Sequence, residues 1–155
     1  MLINTKHFGE IDLDESRIIN FPEGILGLEN LNNYTLIYDN EDGKRPDISW
    51  LQSIEEPTLA MPVISPFLIM PDYNPVVEDE LLNLIGQITD DNLIVLVTIT
   101  VPSDVTQISA NFKAPFIINS DTKKAIQIIV DNNDYEVRYR FYDILKEIKA
   151  AKGDE

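Results

Sequence analysis

The feature that most constrains this chain is a regular alternation of short apolar runs with residues that break secondary structure. The runs are rich in branched and aromatic side chains, which favour strands. Proline, glycine and Asn-Asp clusters stand between them and favour turns. Many short strands with frequent turns are typical of a mostly antiparallel sandwich or small barrel. The predicted strands are 2–8, 17–21, 34–38, 48–54, 58–64, 92–101, 116–119 and 125–130. In the strongest of them, the run from Leu93 to Val97 predicts burial on both faces.

Two other segments carry helical patterns. The first, 75–86, has Pro75 at its start, three acids in its first turn and Gly86 at its end, as helix termini prefer. Its apolar face would consist of Leu81, Leu84 and Ile85. The second, 140–153, has an apolar stripe and lysines in its C-terminal half, where cations are favoured.

These patterns predict a mostly β fold. We expect a small antiparallel barrel-like or sandwich domain with one short internal helix and a C-terminal helix. At 155 residues, one domain is the simplest organisation. Residues 1–140 would form that domain, and 141–155 a helical extension that packs on it or protrudes.

The chain is strongly acidic, with 12 Lys and Arg against 27 Asp and Glu and a formal net charge of -15 at pH 7. Between Arg45 and Lys113 it contains no Lys, Arg or His. Nucleic-acid binding depends on cations that displace counterions from phosphates, so we expect no direct binding to RNA or DNA. An acidic field instead attracts a basic partner and repels nucleic acid from the complex, although acidity can also serve solubility alone.

The location of the protein is constrained by what the sequence lacks. There is no cysteine, which excludes disulfides, thiol catalysis and thiolate metal sites. The N-terminus lacks a basic segment followed by an apolar one, so no secretory signal is predicted. The longest apolar run, from Leu93 to Ile99, is far shorter than the roughly 20 residues of a membrane helix. We expect a cytoplasmic protein with no membrane partner.

The sequence offers little for catalysis. The one histidine, His7, falls on a predicted strand, and no G-x-S-x-G nucleophile motif accompanies it. Adjacent acids such as Glu55 and Glu56 point apart on a strand, so they do not form the facing pair that a glycosidase needs. We therefore predict no enzyme activity and no cofactor, while a carboxylate site assembled by folding stays open as an alternative.

Metal binding is the other chemistry to consider. Three alternating acids would share one face of a strand, where oxygen donors can attract Ca²⁺ or Mg²⁺: Glu10, Asp12 and Asp14. The simpler interpretation is a solvent-facing side opposite Ile11 and Leu13. The loop DNEDG at 39–43 does not fit an EF-hand, because residues other than Asp and Glu occupy the first and last ligand positions. No metal site is predicted.

The stretch FPEGILGLEN, residues 21–30, combines a proline and two glycines within an apolar run. It lacks the glycine and lysine spacing of a phosphate-binding loop. Pro22 and Gly24 fit the second and fourth positions of a type I turn, and Gly27 then allows the chain to change direction. We predict that Phe21, Gly24 and Gly27 shape the fold, as does the turn-forming Pro115.

Several short segments, read in order along the chain, carry a resemblance to a known family: residues 3–11, Phe21 with Glu23-Gly24-x-x-Gly27, Leu51-Gln52-Ser53 followed by Ser65-Pro66-Phe67, residues 110–119, and residues 125–129. In these segments and their order the chain resembles the flagellar assembly factor FliW family. The resemblance covers about residues 2–140, and the helix after Arg140 lies beyond it. The chain departs from the family pattern in having Phe112 and Phe116 in place of smaller apolar residues.

The resemblance implies a barrel-like fold without enzyme activity and two mutually exclusive partners. One is flagellin, and the other is CsrA, a dimeric RNA-binding translational repressor. Free FliW-like protein would capture the repressor, and accumulating flagellin would take the protein back. The alternatives are a flagellin chaperone without a role in repressor binding, and a nucleic-acid mimic that blocks the repressor's RNA site.

The contact residues for these partners are predicted from polarity and position. Gln52 and Asn111 are polar within strand-like segments, although each could instead satisfy backbone groups internally. Tyr73, flanked by prolines, has the amphipathic character of an interface anchor. A loop around Glu41 and Asp42 is a further candidate. The predicted partner-binding residues are Gln52, Glu55, Glu56, Phe67, Asp72, Tyr73 and Asn111.

Overall fold

Eleven β-strands run through the part of the chain described by this computed structural model, residues 2–6, 8–38, 48–75, 77–130 and 135–153. The expectations for His7 and for the loop around Glu41 and Asp42 fall outside these residues. Each predicted strand segment contains an observed strand. The strands are β1 (Leu2–Thr5), β2 (Gly9–Asp12), β3 (Ile19–Asn20), β4 (Asn33–Tyr38), β5 (Ile48–Ser53), β6 (Ala60–Ile64), β7 (Leu93–Thr100), β8 (Ser109–Ala110), β9 (Phe116–Asn119), β10 (Lys124–Gln127) and β11 (Tyr139–Arg140).

Seven of these strands close into a barrel in the order β7, β6, β5, β4, β3, β10 and β9, and β9 pairs back with β7. Neighbouring strands are antiparallel except β3 and β10, which run parallel with Asn20 opposite Lys124. A ring with an odd number of strands cannot alternate direction all the way round, so one parallel pair is unavoidable. The prediction of a mostly β, largely antiparallel barrel is confirmed.

Two hydrophobic clusters lie on either side of the barrel wall. β7 contributes to both, with Leu96 in the inner cluster and Val95 and Val97 in the outer one. The predicted burial on two faces is confirmed for these three residues, whereas Leu93 and Ile94, at the start of the run, are exposed. The outer cluster also takes residues from the helices that cover the barrel. The inner cluster consists of Ile19, Phe21, Ile25, Tyr34, Leu51, Val63, Leu96, Phe116, Ile118 and Ala125.

The hairpin β1–β2 packs against the outside of the barrel, where the ring of Phe8 lies edge-on to Trp50 with centroids 5.8 Å apart. Its turn is closed by Thr5, whose hydroxyl donates to the Gly9 carbonyl at 2.8 Å. The predicted strand 2–8 therefore ends early. The alternating acids are exposed while Leu13 is buried, which confirms the solvent-facing interpretation of Glu10, Asp12 and Asp14.

The internal helices differ from the prediction of one helix over 75–86. Within that segment the helix α2 spans only Asp79–Leu82 and continues as a 3-10 turn, Asn83–Ile85, and a further short helix, α1 (Pro66–Ile69), precedes it. The acids Asp79 and Glu80 mark the true start, because their charge complements the helix dipole. Gly86 ends the segment at φ +91°, as predicted from the preference for glycine after a helix.

The predicted apolar face of this segment is right for Ile85 and wrong for Leu81 and Leu84. Leu81 and Leu84 are exposed, whereas Leu82 and Ile85 pack into the outer cluster. In a 3-10 turn, residues three apart lie above one another, so Leu82 and Ile85 align on the buried side. A regular helical period could not anticipate this shift.

The C-terminal helix α3 spans Tyr142–Gly153, close to its predicted bounds. Its first turn packs on the barrel, because Phe141 and Leu145 belong to the outer cluster. Within the described residues, no helix is long and apolar enough to cross a membrane.

Candidate partner-binding surface

Three consecutive turns lead from β3 to β4 and cover one end of the barrel, here called the closed end. The first begins at Phe21, whose carbonyl accepts from the Gly24 amide at 2.9 Å. This bond confirms the predicted turn with Pro22 second and Gly24 fourth. Gly24 has φ +73°, and a Cβ atom there would lie 2.6 Å from the Cα of Glu29. Only glycine fits this position, on grounds of both backbone conformation and space.

The second turn divides two adjacent apolar residues between core and solvent. The Leu28 amide donates to the Ile25 carbonyl at 2.7 Å, and Gly27 takes the third position at φ +84°. Ile25 is 3% exposed and joins the inner cluster, while Leu26 is 68% exposed. The turn therefore inserts one side chain into the barrel and presents the next to solvent.

The exposed leucine is held in place from both sides. Its amide donates to the side-chain oxygen of Gln127 on β10 at 2.8 Å. The following amide, of Gly27, donates to the carboxylate of Glu29 at 3.2 Å. Because the backbone is fixed, a partner that covers Leu26 gains apolar burial with little loss of loop entropy.

Other carboxylates lie at the same closed end as this leucine. Glu55, in the turn between β5 and β6, accepts from the amides of Asn32 and Asn33 at 3.0 and 2.7 Å. These bonds join the β5–β6 turn to the end of the three-turn segment. The acidic end is defined here as Leu26 with four exposed acids: Glu23, Glu29, Glu55 and Glu56.

Glu56 keeps its charge through local hydrogen bonds. The Thr58 hydroxyl donates to its carboxylate at 2.7 Å, and the Thr58 amide donates to it at 3.3 Å. The side-chain hydrogen bond and then the backbone one lower the pKa of Glu56. The acid is therefore ionised at neutral pH and contributes to the acidic field.

Gln52 was predicted as a contact residue, and the structure places its side chain inside. It is 0% exposed, and its amide nitrogen donates to the carbonyls of Ser53 and Pro57 at 3.0 and 3.2 Å. Its role in this structure is to hold the β5–β6 turn that carries Glu55 and Glu56. The internal alternative for Gln52 is the one that the structure favours.

Tyr73 is likewise buried instead of forming an exposed anchor. It is 3% exposed, and its hydroxyl donates to the Phe112 carbonyl at 2.6 Å. Burial raises the pKa of Tyr73, with a smaller contribution from Tyr135. Its ring lies edge-on to Phe112 and Tyr135, with centroids 5.1 and 4.7 Å apart.

The remaining predicted contacts lie near these rings. Phe67 on α1 is 43% exposed, and its ring centroid is 6.3 Å from that of Tyr73. Asp72 is exposed beside it. Asn111 is half-buried and accepts from the Lys113 amide at 3.0 Å. Thus Phe67, Asp72, Tyr73 and Asn111 form one group, and Gln52, Glu55 and Glu56 form another at the acidic end.

Two of the residues assigned to the fold, Phe21 and Pro115, occupy the interior. Phe21 is 0% exposed and lies edge-on to both Tyr34 and Phe116, with centroids 5.4 Å apart in each pair. Pro115 is buried, and its carbonyl accepts from the Ile128 amide at 3.1 Å. Both fit their predicted structural roles.

Leu26 is the surface residue that sequence reasoning missed. The signal for it was the glycine that follows. Because Gly27 takes the third position of the turn Ile25–Leu28, Leu26 takes the second position, where side chains project outward. Within the described ranges, no three His, Asp or Glu side chains come together as a possible metal site.

Comparison with known proteins identifies the family of the chain. The family model described as FliW protein matches residues 2–141. The flagellar assembly factor FliW of Lachnospira eligens is 52% identical over 147 residues, covering 94% of this chain and 97% of that protein. That of Lachnoclostridium phytofermentans is 49% identical, covering 99% and 98%. A crystal structure of the flagellar assembly factor FliW has a TM-score of 0.83 and 27% identity, covering 91% of this chain and 96% of that one. Because the family model and these relatives match nearly its whole length, the chain belongs to the FliW protein family.

Proposed function

We propose that this chain is a flagellar assembly factor that acts by binding other proteins and not by catalysis. Its first partner is a CsrA-type translational repressor, which it binds and antagonises. Its second partner is flagellin, which sequesters it. The two compete for the protein, so flagellin is translated when flagellin has been exported.

Family membership supports the role in flagellar assembly. The acidic end supports contact with a basic protein, and it is the observation on which the repressor half of the proposal rests. An exposed apolar residue at an end that also carries charged ones matches the usual interface of apolar centre and polar rim. Glu55 is held at the closed end by the amides of Asn32 and Asn33, and Glu56 by Thr58, so neither depends on a partner for its position.

The acidic charge also suggests how binding releases RNA. A chain of net charge -15 docked on an RNA-binding protein repels phosphates by its field, even without covering the RNA site. Neutralising the exposed acids should therefore weaken antagonism more than docking. Equal losses in both would contradict this electrostatic component.

The test is size-exclusion chromatography of the protein mixed with the CsrA-type repressor of its host and, separately, with flagellin, at two salt concentrations. We expect co-elution with each and displacement of one by the other. The variant Leu26→Ser should lose the repressor complex. The double variant Glu55→Gln, Glu56→Gln should lose more of the antagonism than of the complex, while Asp90→Asn, which removes an exposed acid elsewhere, should keep both. Co-elution with flagellin alone would favour the dedicated chaperone and reject the repressor.

A further inference from the structure

The end of the barrel opposite the three-turn segment, here called the open end, contains a cavity of about 160 Å³. Its walls come from the strands of the barrel itself. Ile19 and Ile118 belong to the inner cluster, Leu36 packs against it, and Ile94 lies two residues before the inner residue Leu96 on β7. The apolar lining consists of Ile19, Leu36, Ile94 and Ile118.

Two cations line the same cavity. Arg17 ends the 3-10 turn Glu15–Arg17 before β3, and Lys123 ends the connection between β9 and β10. Arg17 is close enough to Asp14 to contribute, after the Ser16 hydrogen bonds, to lowering the pKa of that carboxyl. The nearby acid Asp14 is engaged by Ser16, whose amide and hydroxyl donate to it at 2.9 and 2.7 Å.

Lys123 occupies a backbone conformation that lysine rarely adopts. It is the one described non-glycine residue with positive φ, at +59°. Its amide donates to the Asn119 carbonyl at 2.9 Å, and its carbonyl accepts from the Asn20 amide at 2.8 Å. The Nζ atom donates to the Ser120 carbonyl, which leaves two of its three donors for other groups. Asn or Gly would adopt this positive φ more easily, yet this acidic chain has a lysine at position 123.

We propose that this cavity binds a small carboxylic acid whose apolar body is one phenyl or branched alkyl group. A cavity of about 150 Å³ holds one benzene molecule, so the volume here matches a single such group. The carboxylate would lie at the rim, where Arg17 and Lys123 supply charge-assisted hydrogen bonds. This site lies at the opposite end of the barrel from the acidic end and is independent of the proposed protein partners.

The probe is phenylacetate, titrated into ¹⁵N-labelled protein at pH 7 and followed by backbone amide shifts. We expect saturable shifts in the amides of Ile94, Ile118, Ser120 and Lys123, with a dissociation constant on the order of 1 mM. The neutral isostere phenylacetamide should bind at least about fivefold more weakly, because it lacks the charge.

Variants separate charge from shape. Lys123→Asn removes the ammonium group and keeps a residue that tolerates positive φ, and Arg17→Gln removes the guanidinium. Each should weaken phenylacetate binding by about fivefold and leave phenylacetamide unchanged. Lys124→Gln, the neighbouring lysine that does not line the cavity, should leave both unchanged.

Three outcomes would overturn the proposal. These are equal binding of phenylacetate and phenylacetamide, undiminished phenylacetate binding by both Lys123→Asn and Arg17→Gln, and shifts with acetate alone that match those with phenylacetate. The absence of shifts at concentrations far above the expected dissociation constant would overturn it as well. Thermal unfolding of each variant confirms that a loss of binding is not a loss of the fold.

Discussion

The two ends of the barrel are built differently. The closed end is covered by three successive turns, with Ile25 inserted into the inner cluster and carboxylates outside. The open end has no such cover among the described residues, and Ile94 and Leu36 line a cavity beside two cations. The same ring of strands thus presents an acidic surface at one end and a basic, apolar recess at the other. A single barrel can therefore serve two ligands of different chemistry without a second domain.

The largest expected effect concerns the cover of the closed end. Gly24→Ala should destabilise the protein by about 4 kcal/mol, because the added Cβ meets Glu29 backbone in a conformation already unfavourable to alanine. Gly27→Ala has the same positive φ but open space around it, so it should cost only about 1–2 kcal/mol. Urea unfolding measures both. A similar cost for the two variants would show that space at Gly24 is not limiting.

The next effect compares one isoleucine from each end. Ile25→Ala removes a side chain that is 3% exposed and should cost about 3 kcal/mol. Ile94→Ala removes one that is 36% exposed and should cost about 1 kcal/mol. The same unfolding experiment applies, with circular dichroism as a check on the native state. If Ile94 proved the more costly, the open end would be packed as tightly as the closed one.

Tyr34, a residue of the inner cluster, makes the stability of the fold depend on pH in the alkaline range. Its hydroxyl is buried without a hydrogen-bond partner among the described residues, and burial, with a smaller effect of Glu55, raises its pKa to about 12. The folded state thus holds this proton more tightly than the unfolded state does. The resulting stability is complete below about pH 10 and is lost as pH rises towards 12.

Tyr34→Phe provides the control for this dependence. The variant should remove Tyr34's share of the decline between pH 10 and 12, and at pH 7 its stability should change by less than about 1 kcal/mol, since no bond is lost. Stability measured by urea unfolding at several pH values tests both points. An unchanged alkaline decline in the variant would assign it to other groups.

The smallest effect on stability is expected at the tip of the closed end. Leu26→Ser should change the free energy of unfolding by less than about 0.5 kcal/mol, because the side chain is mostly in solvent. Unfolding at equilibrium checks this beside the binding assay. A large loss of stability would show that Leu26 packs on the protein itself, and its use as a partner contact would fall.

The sequence predicted those parts of the molecule whose structure depends on residues close together in the chain. β7 was evident from its branched residues, and the turn at Pro22 and Gly24 from the conformations these residues prefer. The acids Asp79 and Glu80 indicated a helix in this segment, although the helix begins at Asp79 and not at the predicted Pro75, and is one turn long. Each of these depends on residues close together in the chain.

The rest depends on contacts between distant residues. The sequence suggested that Tyr73 is a surface anchor, because the Phe112 carbonyl that accepts the hydrogen bond from its hydroxyl lies 39 positions away in the chain. Gln52 looked available because nothing in the sequence shows that the β5–β6 turn folds over it. The cavity was invisible for the same reason, since Arg17, Leu36, Ile94 and Lys123 meet only when the barrel closes.

Closure of the ring has a consequence for how the chain folds as it is made. The parallel pair β3–β10 joins residue 20 to residue 124, whereas β4, β5 and β6 pair with strands next to them in sequence. Loops of that length close slowly, and a chain leaves the ribosome from its N-terminus. In pulsed hydrogen exchange, amides of β4 to β6 should gain protection before that of Asn20. During synthesis, β3 must therefore wait, unpaired on one side, until most of the protein has emerged.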